Sequence, residues 1–143
     1  MKTKGYIADI VSILLILLWS YAAISKLLEF SHFKIEMGNQ PIPPEAGRIL
    51  IWALPSTELL AAVLLLFRQT QHYGLYASFF LMSAFSIYVG LTYFGFFTKH
   101  ACACGGVFRH MGWGAHLVFN IAILFLNIAA LIFYQRKEAV FKS

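Results

Sequence analysis

Charge is what this chain has least of. Only 6 of its 143 residues are acidic and 12% are charged, against 60% hydrophobic and 17% aromatic, at a mean hydropathy of +0.73. Soluble domains carry about 25% charged residues, so this chain cannot cover a water-facing surface. A cytosolic enzyme, a nucleic-acid binder and a disordered tail are thereby excluded. The net charge of +5 is not a nucleic-acid signal, because in a membrane chain Lys and Arg mark the loops that stay inside. Cysteine is almost missing, at two residues, and three of the four prolines (Pro41, Pro43 and Pro44) fall in one stretch. No internal repeat, low-complexity tract or domain boundary interrupts the sequence. It reads as an all-α integral membrane four-helix bundle, a single unit over 1–143.

Four apolar runs are long enough to cross a bilayer, which takes about 20 residues at ~1.5 Å rise. They are placed at about 7–28, 48–67, 73–97 and 114–134. Helix is the expected form, since unpaired backbone amides in hydrocarbon are too costly. Lys2 and Lys4 ahead of the first run resemble the start of a signal peptide. Tyr21, Lys26 and Leu27 stand where a small-residue cleavage pattern would be, so the run reads as a retained helix. The link at 68–72 is short and makes the second and third spans antiparallel neighbours. The stretch at 29–46, with its prolines, is expected to be extended.

Cation counting sets the orientation. With the N-terminus inside, the inner face holds Lys2, Lys4, Arg68, Arg136, Lys137 and Lys142; the outer face holds Lys26, Lys34, Arg48, Lys99 and Arg109. The balance, with basic residues near both ends, puts both termini in the cytoplasm. The 98–113 loop then faces the oxidising exterior of the inner membrane.

That loop carries the only cysteines, Cys102 and Cys104, in Lys99-His-Ala-Cys-Ala-Cys-Gly-Gly106. Two helical residues two apart project about 200° from one another and could not meet; in a loop loosened by Gly105 and Gly106 they can. Three readings compete. The leading one is a redox-active dithiol: a disulfide across one intervening residue departs from relaxed geometry and is easily reduced. The second is a metal site, in which Cys102 and Cys104 join His100 and His110 or His116 as soft ligands for zinc or copper. The third is an inert local disulfide, which would stabilise little because its loop is so short.

In the fourth span Trp113, His116, Asn120 and Asn127 fall on one stripe, which should face the bundle. For Asn120 and Asn127 the expected role is interhelical hydrogen bonding. His116, beneath the cysteine loop, is either a helix-start residue or a group that lowers a thiol pKa and shuttles a proton. Glu58, in Pro55-Ser-Thr-Glu58, sits deep in the second span, where a carboxylate is costly unless paired or protonated. Lys26 lies nearer the outer end and would have to reach down to it, so a hydrogen-bonded network, with Asn120 and Tyr88 at similar depth, is expected rather than a direct salt bridge. Glu58 is thus either interhelical glue or a proton-handling or quinone-contacting group. Gly90, Gly95, Ala115, Ala122 and Ala129 are small residues that let helices approach closely.

The string Cys102-Ala-Cys104-Gly-Gly106 followed by Trp113, His116, Phe119 and Asn120 resembles the redox-associated membrane proteins of the MauE/DoxX group. Ser25-Lys26-Leu27 and Pro55-Ser-Thr-Glu58-Leu59-Leu60 look like that group as well. The resemblance implies a four-helix membrane protein tied to thiol–disulfide chemistry or maturation of exported proteins, beside a thioredoxin-like partner. A broader similarity is to quinone-linked disulfide-forming proteins such as vitamin K epoxide reductase. This chain departs from them in having no Cys-x-x-Cys and no second cysteine pair, so an internal two-pair relay is impossible. No cofactor is fixed by the residues; a quinone is the one the comparison brings, with Trp113, Asn120 and Tyr88 as its candidate contacts.

The expected function is therefore an inner-membrane thiol–disulfide oxidoreductase with Cys102, Cys104, His116 and Glu58 as its catalytic candidates. A thioredoxin-like protein or exported client would be its partner. The alternatives are a non-enzymatic subunit that scaffolds a larger envelope complex and a Cys/His metal-binding membrane module.

Overall fold

The computed structural model describes residues 2–97 and 110–142, with side chains for 6–97 and 110–140. The described residues form five helices and no strand: α1 (Lys2–Leu28), α2 (Phe30–Gly38), α3 (Pro44–Leu66), α4 (Gln71–Tyr93) and α5 (Trp113–Lys142). Four of them, α1, α3, α4 and α5, are long and apolar enough to span a membrane. Neighbours pack in a ring: α1 on α3, α3 on α4, α4 on α5 and α5 back on α1, with little contact across the α1–α4 diagonal. Consecutive spans are adjacent, as sequential elements usually are, and the four-residue link between α3 and α4 leaves those two no alternative.

Composition is turned inside out relative to a water-soluble bundle. Ile10, Leu17 and Ile24 on α1 and Val118, Phe125 and Ile132 on α5, each set spaced seven apart, are exposed, while Lys26, Glu58 and Asn127 are buried. An apolar outer stripe around polar interior groups is the arrangement that lipid selects. The chain is an integral membrane protein. The buried seam of α5 runs His116, Asn120, Ile123, Asn127 and Ala130, the alternating three-and-four spacing of interlocked helices. Its three polar members are those the sequence stripe put there; Trp113, which opens the helix, is half-buried.

The ends of the helices follow local chemistry. Pro44 occupies the first turn of α3 after Pro43, where a missing N–H costs nothing and a fixed φ helps. α4 stops at Tyr93, short of the expected 97, because Gly95 adopts φ +79°. Its N–H bonds Thr92 O and the Phe96 N–H bonds Leu91 O, the paired closure that glycine allows at a helix end. Gly95 therefore terminates a helix rather than letting two approach. The close approach falls instead at Gly74, where an added Cβ would lie 2.7 Å from Leu65 N and 2.8 Å from Leu65 Cγ. Beside it the 67–70 turn is tied by Thr70 Oγ1 donating to Leu64 O at 2.8 Å.

The stretch expected to be extended is half helix. Phe30, Phe33 and Met37 recur at helical spacing, and the first proline comes only at 41. α2 buries Phe33 and Met37 and lies on α3 and α1. The Phe30 ring sits 5.0 Å from that of Trp52, and Lys34 Nζ caps Phe30 at 5.2 Å.

Candidate functional site

Glu58 and Lys26 meet directly. Lys26 Nζ donates to Glu58 Oε1 at 2.8 Å and Oε2 at 3.1 Å, and to Ala22 O at 3.3 Å. The lysine is 2% exposed and the glutamate 1%. This corrects the expected network without a salt bridge. Residue depth alone put Lys26 too far away, but a helical side chain leans toward the N-terminal end of its helix. Lys26 thus spans a turn of α1, as its contact with Ala22 shows, and delivers its ammonium to the level of Glu58. Carbonyl and carboxylate together occupy the three ammonium donors, so the cation is fully satisfied. A buried pair of this kind costs desolvation on both sides; fold stability alone is a poor reason to have one.

The pair borders a cavity of about 40 Å³ between the helices. α1 contributes Trp19 and Lys26, α3 Glu58, α4 Met82 and Phe85, and α5 His116 and Asn120. Trp19 is pinned by donating its indole N–H to Ser78 Oγ on α4 at 2.7 Å. His116 and Asn120 are 5% and 4% exposed. Asn120 Nδ2, a buried donor, has no hydrogen-bond acceptor among the described residues. Asn127 behaves differently: with its amide in the orientation that satisfies both ends, Nδ2 donates to Leu75 O (3.1 Å) and Oδ1 accepts from Phe79 N (3.0 Å). The interhelical bonding expected of both asparagines is met at Asn127, but the Asn120 amide nitrogen is left unsatisfied.

The other sequence candidates are placed as follows. Tyr88 does not line the cavity; its hydroxyl donates to Gln40 Oε1, and Gln40 Nε2 in turn holds Glu36 O at 2.9 Å. That chain of contacts clamps the segment after α2 onto α4. Trp113 is also outside the lining, so the three candidate quinone contacts are not gathered into this cavity. Cys102, Cys104 and His100 lie outside the described residues, as do Lys99 and Arg109. His110 is exposed, and among the described residues no three of His, Cys, Asp and Glu cluster as metal ligands do.

Sequence reasoning missed the polar contacts at the opposite end. Gln71 Nε2 donates to Ser12 Oγ at 2.9 Å and to Asp9 Oδ1 at 3.4 Å, tying α4 to α1. Gln135 Nε2 donates to Tyr76 OH at 2.8 Å, tying α5 to α4. Asp9 and Ser12 lie on the turn of α1 that packs inward with Ala8 and Val11, and that periodicity was the available signal.

Comparison with curated proteins and with solved structures yields no match. The family comparison does: residues 4–134, three of the spans and most of the fourth, match the model described as methylamine utilisation protein MauE. An apolar-faced bundle of four spans around a buried Lys26–Glu58 pair, matched over nearly its whole length, belongs to the MauE family.

Proposed function

We propose that this chain works as one four-helix unit that exchanges thiols and disulfides at the cytoplasmic membrane. Both termini are inside, and the 98–109 segment faces the exterior. One observation supports the reading above others. The cavity bounded by Lys26, Glu58, His116 and Asn120 lies toward the end of the bundle where α4 finishes and α5 begins. That is the end to which Phe97 and His110 tie the segment carrying Cys102 and Cys104. Buried ionisable groups within a span are expensive and default to function; here they lie toward the end of the bundle at which the segment with the only two cysteines is attached.

In the proposed exchange, a thiolate of a thioredoxin-like partner or exported client attacks one sulfur of the Cys102–Cys104 disulfide. The S–S bond breaks and a mixed disulfide forms. The partner's second thiolate then displaces that sulfur. The partner leaves as a disulfide, and its two electrons and two protons end on the Cys102 and Cys104 thiols. The reverse sequence reduces a partner disulfide. His116, the histidine that lines the cavity, serves as the proton-handling group. A single cysteine pair has no internal relay, so its regeneration requires an external dithiol–disulfide partner or a quinone. The family description names methylamine utilisation, and the exported proteins of that process are the clients we assign.

A Cys104→Ser chain in native membranes tests this. Acid trapping followed by non-reducing electrophoresis should capture a mixed disulfide between Cys102 and an exported or thioredoxin-like protein. An impermeant maleimide should label the reduced wild-type chain in intact cells. Labelling only after permeabilisation would overturn the reading. So would a Cys102→Ser/Cys104→Ser chain that supports its partner as well as wild type does, the behaviour of a scaffold subunit.

A further inference from the structure

The Asn120 amide nitrogen lines the cavity, is enclosed, and has nothing to donate to among the described residues. A buried donor left without an acceptor carries its full desolvation penalty. On the far side, among the described residues, both Glu58 oxygens accept from Lys26 alone. A carboxylate offers about four lone-pair sites, so it retains accepting capacity toward the cavity. His116 supplies a ring that can donate or accept. A bound molecule that accepts from Asn120 and donates to Glu58 would satisfy both groups at once. A water needs about 10–15 Å³ of such space and two to four polar partners; the cavity's roughly 40 Å³ meets both requirements for two or three. The rest of the lining, chiefly Trp19, Met82, Phe85 and Phe119, is apolar and confines those waters to the polar side.

We propose that the cavity is a hydrated proton-exchange site in which water held by Asn120 links the Lys26–Glu58 pair to His116. The groups that bear charge or titrate around it are Lys26 from α1, Glu58 from α3 and His116 from α5; α4 contributes only Met82 and Phe85. The ion pair is neutral overall, and a hydrogen-bonded water lets a proton pass between carboxylate and imidazole without either group moving. The Asn120 amide fixes that water's orientation and does not itself titrate, which makes it a positioning residue. The inference concerns the bundle alone and stands whether or not the cysteines exchange.

Water-to-protein magnetisation transfer and hydrogen–deuterium exchange by NMR, on the full chain in nanodiscs, test it. Bound water should transfer to the Asn120 side-chain amide and to the His116 ring N–H. The His116 ring proton should exchange with solvent at a measurable rate through that water. Asn120→Leu should displace the water and slow His116 exchange at least tenfold. Absence of water transfer to the Asn120 amide or to the His116 ring in the wild type overturns the proposal. So does an Asn120→Leu chain that exchanges like wild type. The wild-type readouts decide the matter even where the variant fails to fold.

Discussion

The two ends of this bundle solve the same problem in opposite ways. At the end formed by the start of α1 and the 67–70 turn, the polar contacts among the described residues act as staples. Gln71 is shared between Ser12 and Asp9, Thr70 closes the turn, and Gly74 lets α4 press against Leu65. At the other end a full ion pair is buried, a cavity is left beside it, and an amide donor goes unpaired. Well-packed interiors satisfy their buried polar groups and leave few voids. The contrast within one molecule teaches that the second end is not optimised for stability, and departures of that kind cluster at functional sites.

The strongest way to break the contrast is to remove one member of the ion pair. Lys26→Met alone should destabilise the bundle by about 3–5 kcal/mol, because it leaves Glu58 buried without its partner. Lys26→Met combined with Glu58→Leu should recover most of that loss, since apolar replacement of a buried pair is often neutral or stabilising. Unfolding in mixed micelles compares the two; an additive double variant would show that the pair contributes stability in its own right. At the stapled end, Gly74→Ala should cost about 1–3 kcal/mol by overpacking against Leu65, read as a lower midpoint in the same assay. Gly90→Ala, whose Cβ would meet only Leu117 Cδ1 at 3.7 Å, should cost well under 1 kcal/mol, within the range of a tolerated change.

The asparagines sharpen the comparison at smaller scale. Asn127→Leu removes two contacts to α4 and should cost about 0.6–1.7 kcal/mol, the range for polar contacts between helices in a membrane. Asn120→Leu should cost less than Asn127→Leu, because the Asn120 amide nitrogen has no partner on another helix among the described residues. Equal losses at both positions would erase the distinction between a stapled and an unstapled asparagine. Gln71→Leu should cost about 0.5–1 kcal/mol, an effect confined to the stapled end and without influence on His116.

Much of this was legible in the residues, and what was not has identifiable causes. The four spans stand out because runs of about 20 apolar residues have no other use. The α5 seam is readable because His116, Asn120 and Asn127 are polar against an apolar background at helical spacing. Glu58 is conspicuous for the same reason. Its partner was not, because counting residues along a helix ignores that a lysine side chain projects a full turn toward the N-terminus. α2 was hidden by the prolines that follow it, which belong to the next connection. Gly74 was indistinguishable in sequence from Gly90 and Gly95; only the distance to Leu65 separates a required glycine from a convenient one. For the pairing of Gln71 with Ser12, 59 residues apart, the inward periodicity of Asp9 and Ser12 was the only signal, and it names no partner.

The central claim is that the unsatisfied end of the bundle serves a reactive cysteine pair, and the most direct test is the reduction potential of that pair. Cys102–Cys104 would be equilibrated against glutathione or dithiothreitol buffers in native membranes, then acid-trapped and resolved by mass. The account predicts a midpoint above about −300 mV, within reach of exchange partners. A midpoint below that value, as in inert structural disulfides, or two thiols that never form a bond, would contradict it.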